Sequence, residues 1–158
     1  MAAWRNVFFS FHYERDVWRA ANVRKSQQFN NSTTGKFRDI VDWEELKRKG
    51  DAAVKKWIND QLNGSSVTVV LIGAETYTRK WVLYEIEQSL KKGNGILGVY
   101  INNIETQNKS IDPRGSIPLP SGYYISSDIY NEVYDWHRND GRTNLSRWID
   151  QAAKAVGR

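Results

Sequence analysis

A tryptophan and a glutamate four residues apart, Trp81 and Glu85, are the residues whose types and spacing bear most directly on catalysis. They lie in a stretch with helical periodicity from Lys80 to about Lys92. At 100° per residue, Val82, Leu83, Ile86 and Leu90 form its apolar face, and Trp81, Glu85 and Ser89 run along a different stripe, one turn apart. An indole beside a carboxylate off the core face suits two arrangements. In one, the pair flanks a cleft, where a flat ring stacks on a ligand and a carboxylate stabilises developing positive charge. In the other, Trp81 packs under a loop and Glu85 pairs with Arg79 or Lys92 at the surface. His12 is open in the same way, between a ligand contact and a structural hydrogen bond. His137 reads as a surface residue.

Other chemistries are excluded by residue type. The run Gly93-Asn94-Gly95-Ile96-Leu97-Gly98 matches the dinucleotide fingerprint in letters. It precedes a strand, however, whereas the mechanism needs it between a strand and a helix, with the helix amino end facing the pyrophosphate. No Gly-Lys-Ser or Gly-Lys-Thr phosphate loop occurs. With no cysteine and only two histidines, metal-ligand spacing, cysteine nucleophiles and disulfides are absent. No metal is expected. A phosphorelay receiver needs acidic clusters at strand ends, and Ser10-Phe11-His12 and Ile72-Gly73-Ala74 offer none.

The elements that position these residues are short apolar strands alternating with helices. Val7 to Phe11, Val67 to Ile72 and Ile96 to Ile101 are nearly continuous apolar runs, as expected of strands covered on both faces. A further strand is expected near Phe37 to Val41, and a last one at Glu132 to Trp136. A helix should follow Tyr13. Another carries Val54, Trp57, Ile58 and Leu62 after a cap at Asp51, and a final amphipathic helix carries Leu145, Trp148, Ile149, Ala152, Ala153 and Val156 from just after Thr143 or Asn144. This alternation predicts an α/β, flavodoxin-like three-layer fold, with a mainly parallel five-stranded sheet and helices on both faces. Ligands of such sheets bind beyond the carboxyl ends of the strands, here Ser10 to Tyr13, Gly73 to Thr78, and Asn102 onward. Asn102 to Asn131 holds all three prolines and shows no periodicity. It is read either as a lid or interaction segment or as a connection without a role.

A chain of 158 residues matches one domain. The charge of +5 favours anionic partners, nucleotides among them, although the basic residues are scattered and nucleic acid is not the expected partner. Seven tryptophans exceed what one core needs, so some should line a pocket or interface. No signal peptide or membrane span is expected, and a reducing cytoplasm suits a chain without cysteine.

Two blocks carry a family resemblance. Phe8-Phe9-Ser10-Phe11-His12-Tyr13 resembles the first strand and following loop of TIR domains, and Arg79-Lys80-Trp81-Val82-Leu83-Tyr84-Glu85-Ile86 resembles their Ser-x-Trp-Cys-x-x-Glu-Leu signature. With Val69 to Gly73 and Val133 to Trp136, these blocks are similar to the TIR-like ThsB group of the Thoeris anti-phage system over nearly the whole chain. Val82 stands where cysteine is common, and Phe37 to Trp43 aligns poorly.

The resemblance implies a single TIR-like domain over residues 1–158, with a loop insertion at about 102–131. It also implies an NAD glycohydrolase or ADP-ribosyl cyclase that takes NAD as substrate and needs no cofactor. Its cyclic ADP-ribose product would act on a separate effector protein, and a homo-oligomer is compatible with the family. The catalytic glutamate maps onto Glu85, and Ser10, Phe11, His12 and Trp81 are the expected NAD contacts. Two alternatives stay open: a non-catalytic TIR-type scaffold, and a nucleoside-processing transferase of the same fold with a glutamate nucleophile.

Overall fold

The computed structural model describes residues 6–26 and 40–158. Its described elements are β1 (Val7–Phe11), α1 (Tyr13–Ser26), α2 (Ile40–Arg48), α3 (Asp51–Leu62), β2 (Val67–Ile72), α4 (Lys80–Lys92), β3 (Gly95–Tyr100), β4 (Glu132–Asp135) and α5 (Gly141–Ala155). Single 3₁₀ turns at Thr76–Thr78 and Ser126–Asp128 complete the order. The strands are all parallel, in the order β1-β2-β3-β4.

Parallel strands need both faces covered, which is why every residue of β1 and β2 is buried. Alternate residues face opposite layers. Val69, Leu71, Leu97 and Val99 join the cluster that holds Ala20 and Val23 of α1 and Leu145, Trp148 and Ile149 of α5. Val70, Ile72 and Ile96 join Val82 and Ile86 of α4 on the other side. The three-layer α/β architecture expected from the sequence is therefore present. None of the described helices is long and apolar enough to cross a membrane.

The sheet differs from the expectation in one respect: four strands are described, not five. Of the strand expected at Phe37 to Val41, residues 37–39 lie outside the described residues, and Ile40 and Val41 open α2 instead. Ile40, Trp43 and Leu46 recur at a helical spacing, and that periodicity prevails over the β-branched pair Ile40-Val41. Two boundaries also shift. α5 starts at Gly141, earlier than its apolar stripe suggests, because the amide of Asn144 already bonds back to the Asp140 carbonyl. The last strand closes at Asp135, one residue short of Trp136.

The glycine run between α4 and β3 has a packing explanation. Gly93 ends α4 in the left-handed region at φ 83°, where a side chain would be strained, and the amides of Gly93 and Asn94 cap the carbonyls of Leu90 and Ser89. A Cβ on Gly95 would collide with the backbone carbonyl of Ala152, so this position lets α5 sit against β3. The letters of the fingerprint serve packing at the end of the sheet opposite the strand carboxyl ends.

The segment from Asn102 to Asn131 stays irregular apart from its 3₁₀ turn, yet its first part is strapped to α1. Asp112 accepts two bonds from Arg15, at 3.0 and 3.2 Å, and one from Arg19 at 3.0 Å. Arg19 itself is 1% exposed and also donates to the Ile104 carbonyl and to Asp16.

Candidate active site

Ser10 is the fourth residue of β1 and pairs in register with Val70, which places it on the sheet face that α4 covers. From α4, Glu85 meets it: Ser10 Oγ donates to Glu85 Oε1 at 2.8 Å, and both residues are 0% exposed. The buried face of α4 is Val82, Glu85, Ile86 and Ser89. This corrects the sequence expectation that Leu83 shares the core face and that Glu85 stands off it; Leu83 is only half-buried, whereas Leu90, half-buried too, packs against the cluster of Val82 and Ile86 as expected. The shift is small in angle and follows from polar matching across the layer. Thr68 on β2 meets Ser89, which in turn donates to the Glu85 carbonyl, so polar residues of the sheet draw the polar stripe of the helix inward. Pairing of Glu85 with Arg79 or Lys92 at the surface is thereby excluded.

A cleft of about 370 Å³ opens at the carboxyl end of β1. Phe11, His12, Tyr13 and Glu14 line it from the first strand and α1, Trp43 and Lys47 from α2, and Thr78 to Val82 from the start of α4. Ser10 and Glu85 are not among its lining residues; they stand one residue back from Phe11 in β1 and one turn on from Trp81 in α4. Of the five residues expected at the site, Phe11, His12 and Trp81 line the cleft, while Ser10 and Glu85 pair with each other in the buried layer between β1 and α4.

Aromatic rings build much of the wall. Phe11 and Tyr13 have ring centroids 5.7 Å apart, Tyr13 and Trp43 5.9 Å, and Trp43 and Trp57 6.5 Å. Trp81 stands edge-on to Tyr84 at 5.7 Å, with the Lys80 ammonium 4.7 Å from its ring centroid. The surplus tryptophans therefore serve this cleft in part, as their number suggested.

The charges around the cleft are uneven. Burial, with the nearby Arg79 charge second, holds His12 below the ordinary histidine value, so the ring is neutral at pH 7. Burial acts to raise Glu14, but its hydrogen bond from Lys47 at 2.7 Å outweighs that and leaves the carboxyl below its usual range. Among the described residues no cluster of three or more side chains suited to hold a metal ion is found.

Sequence reasoning missed Trp43 and Lys47 as lining residues, because Lys47 reads as part of a basic cluster on a solvated helical face and the strand expected at Phe37 to Val41 left Trp43 without a place. The spacing of Ile40, Trp43 and Leu46 was the signal that could have revealed a helix there. Glu14 and Arg79 were also missed; each is a charged residue beside an expected site residue.

Comparison with known proteins identifies the family. The family model described as "Thoeris protein ThsB, TIR-like domain" matches residues 8–106, which span both Ser10 and Glu85. The chain is also 41% identical over 137 residues to the protein of Bacillus cereus (strain MSX-D12) named "Putative cyclic ADP-D-ribose synthase ThsB1". That alignment covers 84% of this chain and 71% of the relative.

Proposed function

The chain belongs to the TIR-like ThsB family, and from that premise we propose that it is an NAD-consuming enzyme. It breaks the bond between nicotinamide and ribose and closes the remaining ADP-ribose into a cyclic isomer, a signal for a separate effector protein in anti-phage defence. The setting is the cytoplasm. The observation that carries this reading is the buried Ser10–Glu85 hydrogen bond between β1 and α4, the two elements whose neighbouring residues line an aromatic cleft.

In this reading Phe11 and Trp81 stack on the flat rings of NAD and His12 contacts the substrate at the rim. Nicotinamide leaves as a neutral ring, taking the electron pair of the broken C–N bond, so the departure needs no general acid. This separates the reaction from ordinary glycoside hydrolysis with its paired carboxylates. Glu85 holds the ribose hydroxyls and stabilises the oxocarbenium-like sugar, while Ser10 fixes the carboxylate in place. Cyclisation follows when a nucleophile within the same dinucleotide reaches the cation before water does. A hydroxyl nucleophile gives up its proton to solvent. Folding the substrate in the cleft raises the effective concentration of that internal group. Because Glu85 is fully covered, the side chains over it must part for the ribose to reach it.

The test is incubation with NAD and chromatography of the products. Nicotinamide and a cyclic ADP-ribose isomer from the wild type, but not from Glu85→Gln, is the expected result; equal release by both ends the assignment of Glu85. One observation favours a second reading, a scaffold working by association: Tyr124 is 86% and Ile125 59% exposed on the long segment. Light scattering with NAD calorimetry separates the two, since the scaffold self-associates and binds no nucleotide.

A further inference from the structure

We infer that Arg79 and the amino end of α4 hold the diphosphate of the dinucleotide, making Arg79 the residue that selects a diphosphate-bearing substrate over a nucleoside with the same scissile bond. This rests on the NAD reading above and goes beyond it, because Glu85, Ser10, Phe11 and Trp81 address only the rings and the ribose. Three lysine and arginine side chains, Lys47, Arg79 and Lys80, line the cleft against one carboxylate, Glu14. Two of them are engaged. Lys47 pairs with Glu14 at 2.7 Å and Glu44 at 3.3 Å, and Lys80 pairs with Asp51 at 2.5 Å. Arg79 bonds through Nε to Thr78 Oγ1 at 3.2 Å and has no carboxylate partner among the described residues. A guanidinium left in this state presents its remaining donors in the planar fork that matches phosphate oxygens.

Its place in the chain adds to this. Arg79 is the N-cap of a 13-residue helix, at φ −83° and ψ 117°, and no side chain caps that end. The intrahelical ladder begins with the Leu83 amide bonding to the Arg79 carbonyl, so the amides of Lys80, Trp81 and Val82 precede it. All three residues line the cleft. These amides bond to no backbone carbonyl among the described residues, and with the positive end of the helix dipole they favour an anion there. A second, independent feature points to a ligand at the same place. His12 lines the same cleft and is 6% exposed, and its Nδ1 has no hydrogen-bond partner among the described residues. A buried ring nitrogen without a partner costs stability, and a polar group bound beside the ring is one way to complete it once the ring turns toward the cleft. Anchoring the dinucleotide at its middle leaves both its ends free to fold toward each other over Glu85, which is the geometry that cyclisation requires.

The experiment compares NAD with nicotinamide riboside, which keeps the scissile bond and lacks phosphate, on the wild type, Arg79→Gln and Arg79→Lys. Arg79→Gln is expected to raise KM for NAD roughly tenfold to a hundredfold, the range of a hydrogen-bonded charge contact. It should shrink the preference for NAD over nicotinamide riboside, read as the ratio of kcat/KM values, by the same factor, while Arg79→Lys recovers part of it. Inorganic pyrophosphate should compete with NAD on the wild type and lose that ability on Arg79→Gln. Unaltered KM, substrate preference and pyrophosphate inhibition in Arg79→Gln overturn the subsite and leave the NAD reading intact. If the wild type releases no nicotinamide, or Glu85→Gln releases as much, the NAD reading fails instead. Pyrophosphate binding followed by tryptophan fluorescence then still decides the subsite: saturable binding lost in Arg79→Gln supports it, and no binding to the wild type overturns it.

Discussion

The Ser10 hydroxyl and the Glu85 carboxylate meet at 2.8 Å across 75 positions of sequence, with neither side chain open to solvent. Replacing Glu85 by glutamine keeps the hydrogen-bonding shape and removes the charge. Interactions that matter chiefly as the cation forms appear in kcat more than in affinity. Glu85→Gln should therefore retain most NAD affinity while turnover falls on the order of a hundredfold or more. Titration of NAD beside single-turnover rates measures both. Loss of binding with an unchanged bound-state rate would make Glu85 a positioning residue.

Ser10→Ala removes the donor and leaves Glu85 Oε1 without that bond inside the fold. A hydrogen bond to a charged group contributes about 1.5–3 kcal/mol, so the variant should be less stable by that order, lowering Tm by roughly 3–12 °C for a chain of this size. Differential scanning calorimetry checks the stability.

Asp112 gathers Arg15 and the buried Arg19 onto one carboxylate, whose own pKa these partners bring below the usual range although burial alone would raise it. Asp112→Ala leaves Arg19 with a single carboxylate, Asp16. The expected loss is about 1.5–3 kcal/mol, the range of a hydrogen bond to a charged group, since Arg19 keeps Asp16 and the Ile104 carbonyl. Hydrogen exchange should accelerate around residues 102–112 ahead of the sheet, and equal acceleration throughout would show that Asp112 acts globally rather than as a strap.

Asp16 gives a pH dependence of opposite sign. Burial lifts its carboxyl from 3.8 to about 6, while the hydrogen bond from Arg19 at 3.0 Å works against the rise. One oxygen, Oδ2, has no hydrogen-bond partner among the described residues and lies close to Gly73, where it would obstruct any Cβ. A carboxyl whose folded value is raised supports the fold fully below its unfolded value, and that support is lost as pH rises through the folded one. The stability of Asp16→Asn relative to the wild type should therefore increase from about pH 4 to about pH 6 and then level off. Denaturant unfolding over that range is the measurement. A relative stability that falls with pH would mean that pairing with Arg19 outweighs burial.

Much of this was legible in the residues. The three apolar runs are strands because a parallel sheet buried on both faces imposes continuous hydrophobicity, and α5 shows a clean stripe because one of its faces meets water. The pairing of Ser10 with Glu85 was reachable only through the family signature, since helical periodicity alone placed Glu85 off the core. Its inward turn depends on Thr68 and Ser89, whose relation to it is set by sheet register rather than local pattern. The burial of Arg19 was illegible for the same reason: its partners Ile104 and Asp112 are 85 and 93 positions away. α2 was lost to the β-branched Ile40-Val41, and with it the Trp43 and Lys47 side of the cleft.

The 75-residue separation of Ser10 and Glu85 also bears on synthesis. The ribosome delivers the β1 half of the site long before α4, and β1 cannot close its layer until β2 has been made and paired beside it. The carboxylate then enters the fold together with the helix that carries it, as part of one late docking step. A nascent or truncated chain that ends before α4 holds the serine, the first aromatic rings and the histidine but lacks the carboxylate proposed to act. On that proposal output requires chains that extend through α4, and shorter translation fragments stay silent without a separate inhibitor.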